Sequence, residues 1–143
     1  MKYEGYWYYG LEVLYDTYRD ELMVRHPNGV PFVLYSPRVQ EFVSKNFHFV
    51  RFDTDKGPIK AGFYEIMSDG ELVIYVKRMV TLHEEIVDQT IIRNFEKKPK
   101  FYAQLGNQLI AVTKQGQLMD LVKSKRSTVQ QALNLRIEIP QEP

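Results

Sequence analysis

The sequence predicts a mainly β fold: an antiparallel sheet, sandwich or open barrel-like arrangement, with two short C-terminal helices. Three observations carry this. Aromatic residues make up 13% of the chain and ten residues are tyrosine, a side chain that packs its ring on a half-buried strand face while its hydroxyl stays wet. Turn-forming dipeptides separate short apolar runs. After Gly116 the apolar spacing changes from strand-like to helical.

The elements follow in order. "YEGYWYYG" at 3–10 reads as a strand bracketed by Gly5 and Gly10, with Tyr6 and Tyr8 on one face and Trp7 and Tyr9 on the other. Aromatic on both sides, it reads as a strand covered twice. "LEVLY" (11–15) and "ELMVRH" (21–26) are strands joined by the bend "DTYRD", where Asp16 and Asp20 are turn formers. "HPNG" at 26–29 is a tight turn, and "VPFVLY" follows as a strand whose Pro31 suits an edge or an entry position. "SPRVQEFVS" fits no single pattern, whereas "FHFVRF" (47–52) alternates cleanly and "DTDKGP" is a polar loop.

"AGFYEIMSDGELVIYVKRMV" is the clearest hairpin, two apolar-rich runs around Ser68-Asp69-Gly70. "TLHEEIVDQTIIRNFEKKPK" carries a weak pattern and reads as a strand extension followed by an excursion loop. "KFYAQL" and "LIAVTK" are strands joined through "GNQ". Beyond them Leu118, Leu121, Val122, Val129, Ala132 and Leu133 recur at helical spacing, with Ser127 or Thr128 as a cap for the second helix. The expected organisation is one domain over 1–143: β-rich 1–114, helical 116–134 and a tail at 135–143. Its expected core is Leu14, Leu22, Val24, Phe32, Leu34, Phe49, Phe63, Ile66, Leu72, Ile74, Val76, Leu109, Ala111, Leu118, Leu121 and Leu133.

Composition narrows the function. With 143 residues and 44% hydrophobic content, the chain can bury a real core. A net charge of +1 supplies no global attraction to nucleic acid or anionic membrane. From Arg93 to Arg126 basic residues outnumber Glu96 and Asp120. Their irregular spacing fits a solvated face better than a phosphate-tracking surface, so no nucleic-acid partner is expected. There is no cysteine, which removes disulfides, thiolate metal sites and cysteine catalysis. No apolar run reaches membrane-span length, so an integral membrane protein is not expected. Residues 1–25 hold Glu4, Glu12, Asp16, Asp20 and Glu21 and no apolar stretch of a signal peptide.

Catalytic and metal patterns fail on inspection. "HEEIV" at 83–87 ends in Val87 where a two-histidine zinc motif needs a second histidine. Asp53 and Asp55 open like a calcium loop, but the twelfth position is Tyr64 instead of a bidentate carboxylate. Asp16 and Asp20 are paired carboxylates around a bend, and hydrogen bonding to their own turn explains them better than acid–base work. Neither a nucleophile elbow nor a glycine-rich phosphate loop is present. No catalytic residue, metal or cofactor is expected.

Four stretches carry a resemblance: "LEVLYDTYRDELMV" (11–24), "GFYEIMSDGELVIYVKR" (62–78), "FYAQLGNQLIAVTK" (101–114) and "LMDLVKSKRSTVQQAL" (118–133). Tyr15, Asp16, Tyr18, Asp20, Glu21 and Leu22 form one motif, and Asp69, Gly70, Leu72, Tyr75, Lys77 and Arg78 another. Together they resemble a group of uncharacterised envelope or secreted proteins of Bacteroidota that carry signal peptides. The resemblance implies export, a mostly β fold and no known activity. It places the chain in the periplasm or cell exterior after signal removal, with the cytoplasm as the alternative.

The resulting expectation is a non-enzymatic interaction module of the envelope, a protein-binding domain or accessory subunit whose partner is another envelope protein. The alternative is a small-ligand or glycan binder. In that case Tyr6, Trp7, Tyr8 and Tyr9 supply a stacking surface and Asp16 or Asp20 the polar group.

Overall fold

The computed structural model describes residues 1–121, and nearly all of their regular structure is antiparallel β. The clearest predicted hairpin sits at its centre: β8 (Gly62–Asp69) and β9 (Leu72–Lys77). Asp69 pairs with Leu72, so the two loop residues are Gly70 and Glu71, and Gly70 supplies the positive φ of 59° that opens such a loop. Around this hairpin an eight-stranded sheet runs in the order β13-β12-β9-β8-β7-β6-β1-β2. Its other members are β1 (Lys2–Tyr3), β2 (Tyr6–Trp7), β6 (Val39–Ser44), β7 (Phe47–Phe52), β12 (Lys100–Leu105) and β13 (Gln108–Val112).

A second sheet is built from β3 (Val13–Asp16), β4 (Glu21–Arg25) and β5 (Pro31–Val33). The ambiguous "SPR" stretch is a single 3-10 turn, Ser36–Arg38, that leads from this sheet into β6. The inner face of the three-stranded sheet presents Val13, Tyr15, Leu22 and Leu34 to Phe42, Phe49 and Phe63 of the large sheet. Phe42 stacks on Phe49 at 4.7 Å, and the Tyr15 ring lies 5.2–5.8 Å from Phe42, Phe49 and Phe63. On the same face of the large sheet, Leu72, Ile74, Val76, Phe101, Ala103 and Val112 form a second cluster. The opposite face holds Tyr64, Tyr75 and Tyr102 around Ile59, which arrives from the 53–61 loop.

Some expected core positions differ. Leu14 pairs with Met23 on the outer face of the three-stranded sheet, because the inward set there is Val13, Tyr15, Leu22 and Val24. Phe32 does point with that inward set, but β5 is the edge strand and its ring is exposed. Ala111 is exposed on edge strand β13 while its neighbour Val112 is buried. Val39, Phe42, Ile59, Tyr64 and Tyr102, outside the expected core, are also buried. One short helix, α1 (Gln115–Leu121), follows β13. The second expected helix, with Leu133, and the tail at 135–143 lie outside the described residues, so the expected helix pair is not shown.

The largest correction concerns residues 80–97. In place of a strand extension and loop, the chain forms a regular hairpin of β10 (Val80–Val87) and β11 (Thr90–Lys97), paired throughout from Val80↔Lys97 to Val87↔Thr90. Asp88 and Gln89 form its loop with φ of 48° and 65°. Both central residues in the left-handed region make this the primed turn that matches strand twist.

Candidate functional site

The hairpin β10–β11 is an overrun of the sheet. Lys77 pairs with Lys100 in the β9–β12 ladder, and stepping three residues along each strand reaches Val80↔Lys97, the first pair of the hairpin. The Lys98 amide donates to the Met79 carbonyl at 2.9 Å and bridges the interval. One register therefore runs out of the sheet into an arm. At about 3.3 Å per residue, eight residues extend it about 26 Å.

Side-chain alternation follows the register. Leu72, Ile74 and Val76 face the core, and the same parity on the arm gives Val80, Leu82, Glu84 and Ile86. Their cross-strand partners on that face are Lys97, Phe95, Arg93 and Ile91. The stripe is apolar except for Lys97 at its root and the Glu84–Arg93 pair, joined at 2.8 Å. The other face carries Thr81, His83, Glu85, Asn94 and Glu96, with His83 bonded to Glu96 at 2.8 Å, and near the tip Val87, Thr90 and Ile92. Lys98, and secondarily His83, hold the Glu96 carboxyl below its ordinary range.

The arm thus prolongs a core-facing stripe beyond the core. Ile86 is 76% exposed, Phe95 65% and Ile91 56%. One body residue meets this stripe in a ring contact: Tyr18, edge-on to Phe95 at 6.0 Å. A lone two-stranded ribbon is marginally stable in water, and an apolar stripe of this kind is a surface that gains free energy when covered.

Where the arm leaves the body, a groove of about 380 Å³ opens. Phe47, Phe49 and Glu65 come from β7 and β8, Arg78, Met79 and Val80 from the β9–β10 passage, Lys97 and Pro99 from the return strand, and Thr17 from the β3–β4 turn. Glu65 is only 3% exposed. The Arg78 guanidinium compensates it, donating from Nε at 2.8 Å and from Nη2 at 2.6 Å to the same carboxylate oxygen. The exposed Lys97 side chain has no hydrogen-bond or ion-pair partner among the described residues.

The N-terminal aromatic strand lies elsewhere. The β1–β2 hairpin closes one edge of the large sheet, with Lys2↔Trp7 and Tyr3↔Tyr6 paired and the Tyr8 amide donating to the Met1 carbonyl at 2.8 Å. Gln40 is an extra residue in β6 opposite β1, and its side-chain oxygen accepts from the Gly5 amide at 2.8 Å. Trp7 and Tyr9 share a face and stack at 6.2 Å with an 18° interplanar angle. Tyr6, Trp7, Tyr8 and Tyr9 are all exposed. The expectation of a strand covered on both faces is therefore corrected: β2 is the outermost strand of the sheet, and neither face is fully covered by the described residues.

Asp16 and Asp20 sit in the β3–β4 turn and have separate duties. Asp16 accepts from the Tyr18 and Arg19 amides, both at 3.0 Å, which fixes the turn. Asp20, held at φ 56°, turns away from its own loop. It accepts from the Tyr15 hydroxyl at 2.5 Å, the Lys77 ammonium at 2.8 Å and the Phe63 amide at 3.3 Å, and so ties the small sheet to the large one. Burial first, and the bond to Asp20 second, drive the Tyr15 hydroxyl far above its ordinary pKa. Lys77 also donates to the Phe63 carbonyl at 3.0 Å and lies 5.0 Å from the Tyr64 ring centre. Gly62 leaves room for this cluster, since a Cβ there would collide with the Asp20 carboxylate. No hydrogen bond or ion pair joins Asp16 or Asp20 to Tyr6, Trp7, Tyr8 or Tyr9 among the described residues.

Asp53 and Asp55 are occupied in the same way. Asp55 accepts from Lys60 Nζ at 2.9 Å and from the Ala61 amide at 3.0 Å, and the Lys60 bond foremost lowers its pKa. Among the described residues no group of three or more histidines and carboxylates is placed to hold a metal ion, and no helix is long and apolar enough to cross a membrane. Comparison with known proteins adds no identity: no family model, curated protein or solved structure matches the chain.

Proposed function

We propose that this protein is a non-enzymatic interaction module whose arm, β10–β11, docks onto another protein of the cell envelope. One observation carries the proposal: the core-facing stripe of the sheet continues along the arm, where Ile86, Ile91 and Phe95 stand in solvent. Covering a fully exposed large apolar side chain is worth about 1.5–3 kcal/mol, so these three, each partly exposed, together offer about 3–6 kcal/mol of gross binding energy. The Glu84–Arg93 pair in the middle of the stripe gives a partner a point of registration. The envelope location rests on the motif resemblance at 11–24 and 62–78. Co-purification from native cells after mild solubilisation tests the docking. The wild-type chain is expected to carry a stoichiometric partner that the variant Ile86→Ser/Ile91→Ser loses while staying folded. Equal recovery with both chains refutes the arm as the contact.

A second function is favoured by one specific feature, the exposed parallel stack of Trp7 and Tyr9. Flat exposed rings suit sugar or other planar ligands. The carboxylates first paired with this platform, Asp16 and Asp20, are engaged in the β3–β4 turn and the sheet-to-sheet tie, so a glycan would have to rely on the aromatic rings alone. A glycan screen in which Trp7→Ala abolishes every hit supports this function, and an unchanged profile removes it.

A further inference from the structure

We infer that the groove at the root of the arm is a binding site for a small amphiphilic monocarboxylate, such as a medium-chain fatty acid. The site is separate from the exposed stripe near the arm tip and does not depend on a protein partner. Its volume of about 380 Å³ is at the small end of the roughly 300–1,000 Å³ usual for ligand pockets. Phe47, Phe49, Met79, Val80 and Pro99 make its lining mainly apolar, which suits an alkyl body.

The charges select the head group. Glu65 is buried and neutralised by Arg78 through Nε and Nη2, which leaves the Nη1 donors of the guanidinium unused. Lys97 is the cross-strand partner of Val80 and adds a positive charge that no described residue compensates. Two cations against one carboxylate leave room for a single negative charge. A guanidinium edge and an ammonium are the donors that a carboxylate accepts from most strongly. A dianion would be left half-neutralised in an apolar groove, and a neutral alcohol would forgo the charge-assisted bonds that Arg78 and Lys97 offer.

Sodium decanoate, kept below its micelle concentration, is the probe. Calorimetric titration into the full-length protein is expected to show one saturable site, with amide shifts at Phe47, Val80 and Lys97. 1-Decanol and decyltrimethylammonium are expected to bind at least about tenfold more weakly, the worth of one charge-assisted hydrogen bond. Lys97→Glu is expected to cost decanoate about the same factor. Lys98→Gln, beside the groove and paired with Glu96, should change nothing. Absence of decanoate binding, equal binding of the alcohol or the ammonium, or full affinity in Lys97→Glu each overturns the site. Ile86→Ser/Ile91→Ser should keep decanoate affinity, so failure of the groove and failure of the docking arm are told apart.

Discussion

Replacing Asp20 by Asn removes one charge from the tie between the two sheets and little else. Asn tolerates the left-handed backbone that Asp20 adopts at φ 56°, so the backbone cost that Ala would add is avoided. The native carboxylate accepts three hydrogen bonds, from Tyr15, Lys77 and Phe63. When the amide keeps its one acceptor oxygen toward Lys77 and Phe63, its NH₂ faces the Tyr15 hydroxyl, which can rotate to accept, so the loss is that of the charge opposite Lys77. Hydrogen bonds to charged groups are worth about 1.5–3 kcal/mol, and stranding a buried partner raises the loss to about 3–5 kcal/mol. The Lys77 side chain is 15% exposed and would be the stranded group, but the Asp20 side chain is 30% exposed and water softens the loss. Lys77 also keeps the Phe63 carbonyl and the Tyr64 ring. The expected destabilisation is therefore about 2–3 kcal/mol, a fall in Tm of roughly 6–10 °C for a chain of this size. Urea unfolding of the wild type, Asp20→Asn, Lys77→Met and the double variant measures it. The double variant is expected to be more stable than the sum of the single losses, because it leaves no unpaired charge. A loss below about 0.5 kcal/mol in Asp20→Asn, in the range of an ordinary surface change, would refute the tie.

Three further outcomes follow from the same geometry. Gly62→Ala is expected to cost at least as much as Asp20→Asn, about 3 kcal/mol or more, because its Cβ would strike the Asp20 carboxylate and lie 2.8 Å from Lys77 Nζ at a φ of 137°; near-wild-type unfolding would show that the cluster is loosely held. Burial foremost raises Tyr15 well above its ordinary pKa and Tyr64 to about 12, so both stay protonated in the fold while unfolded tyrosine ionises near pH 10. Their stabilisation is complete below about pH 10 and is lost as pH rises toward the folded values, at about 1.4 kcal/mol per pH unit for each ring; urea midpoints at pH 9, 10 and 11 check this, with a shallower slope expected in Tyr15→Phe. Converting Asp88-Gln89 to Asn-Gly should relieve two positive-φ residues and stabilise the arm by about 0.5–1 kcal/mol, read as about threefold slower amide exchange from Leu82 to Phe95.

How much of this was legible in the sequence depended on whether local pattern and tertiary role agreed. The hairpin at 62–77 was readable because Leu72, Ile74 and Val76 alternate and a glycine opens the loop. The arm was not, for three reasons. Apolar doublets Ile86-Val87 and Ile91-Ile92 break the alternation near the tip, an ion pair interrupts the stripe at Glu84 and Arg93, and Asp-Gln is an uncommon filling for its turn. Its register is set by the β9–β12 ladder, which no local window contains. Asp16 behaves as the sequence suggests, a turn former bonded to its own backbone. Besides Tyr15, five residues back, the partners of Asp20 are 43 residues away at Phe63 and beyond at Lys77, a distance that no spacing rule spans. The aromatic strand was read as buried because its two faces are alike, but burial depends on its place at the sheet edge.

The docking arm can be tested most directly by site-specific photocross-linking along its two faces in native cells. A benzophenone side chain at Ile91 on the core-facing stripe and another at Asn94 on the opposite, more polar face sample the two faces of one strand. The predicted result is a single discrete protein adduct from position 91 that is absent from position 94 and disappears when Ile86 is replaced by Ser. No adduct from position 91, or the same adducts from both faces, would contradict the arm as a docking surface.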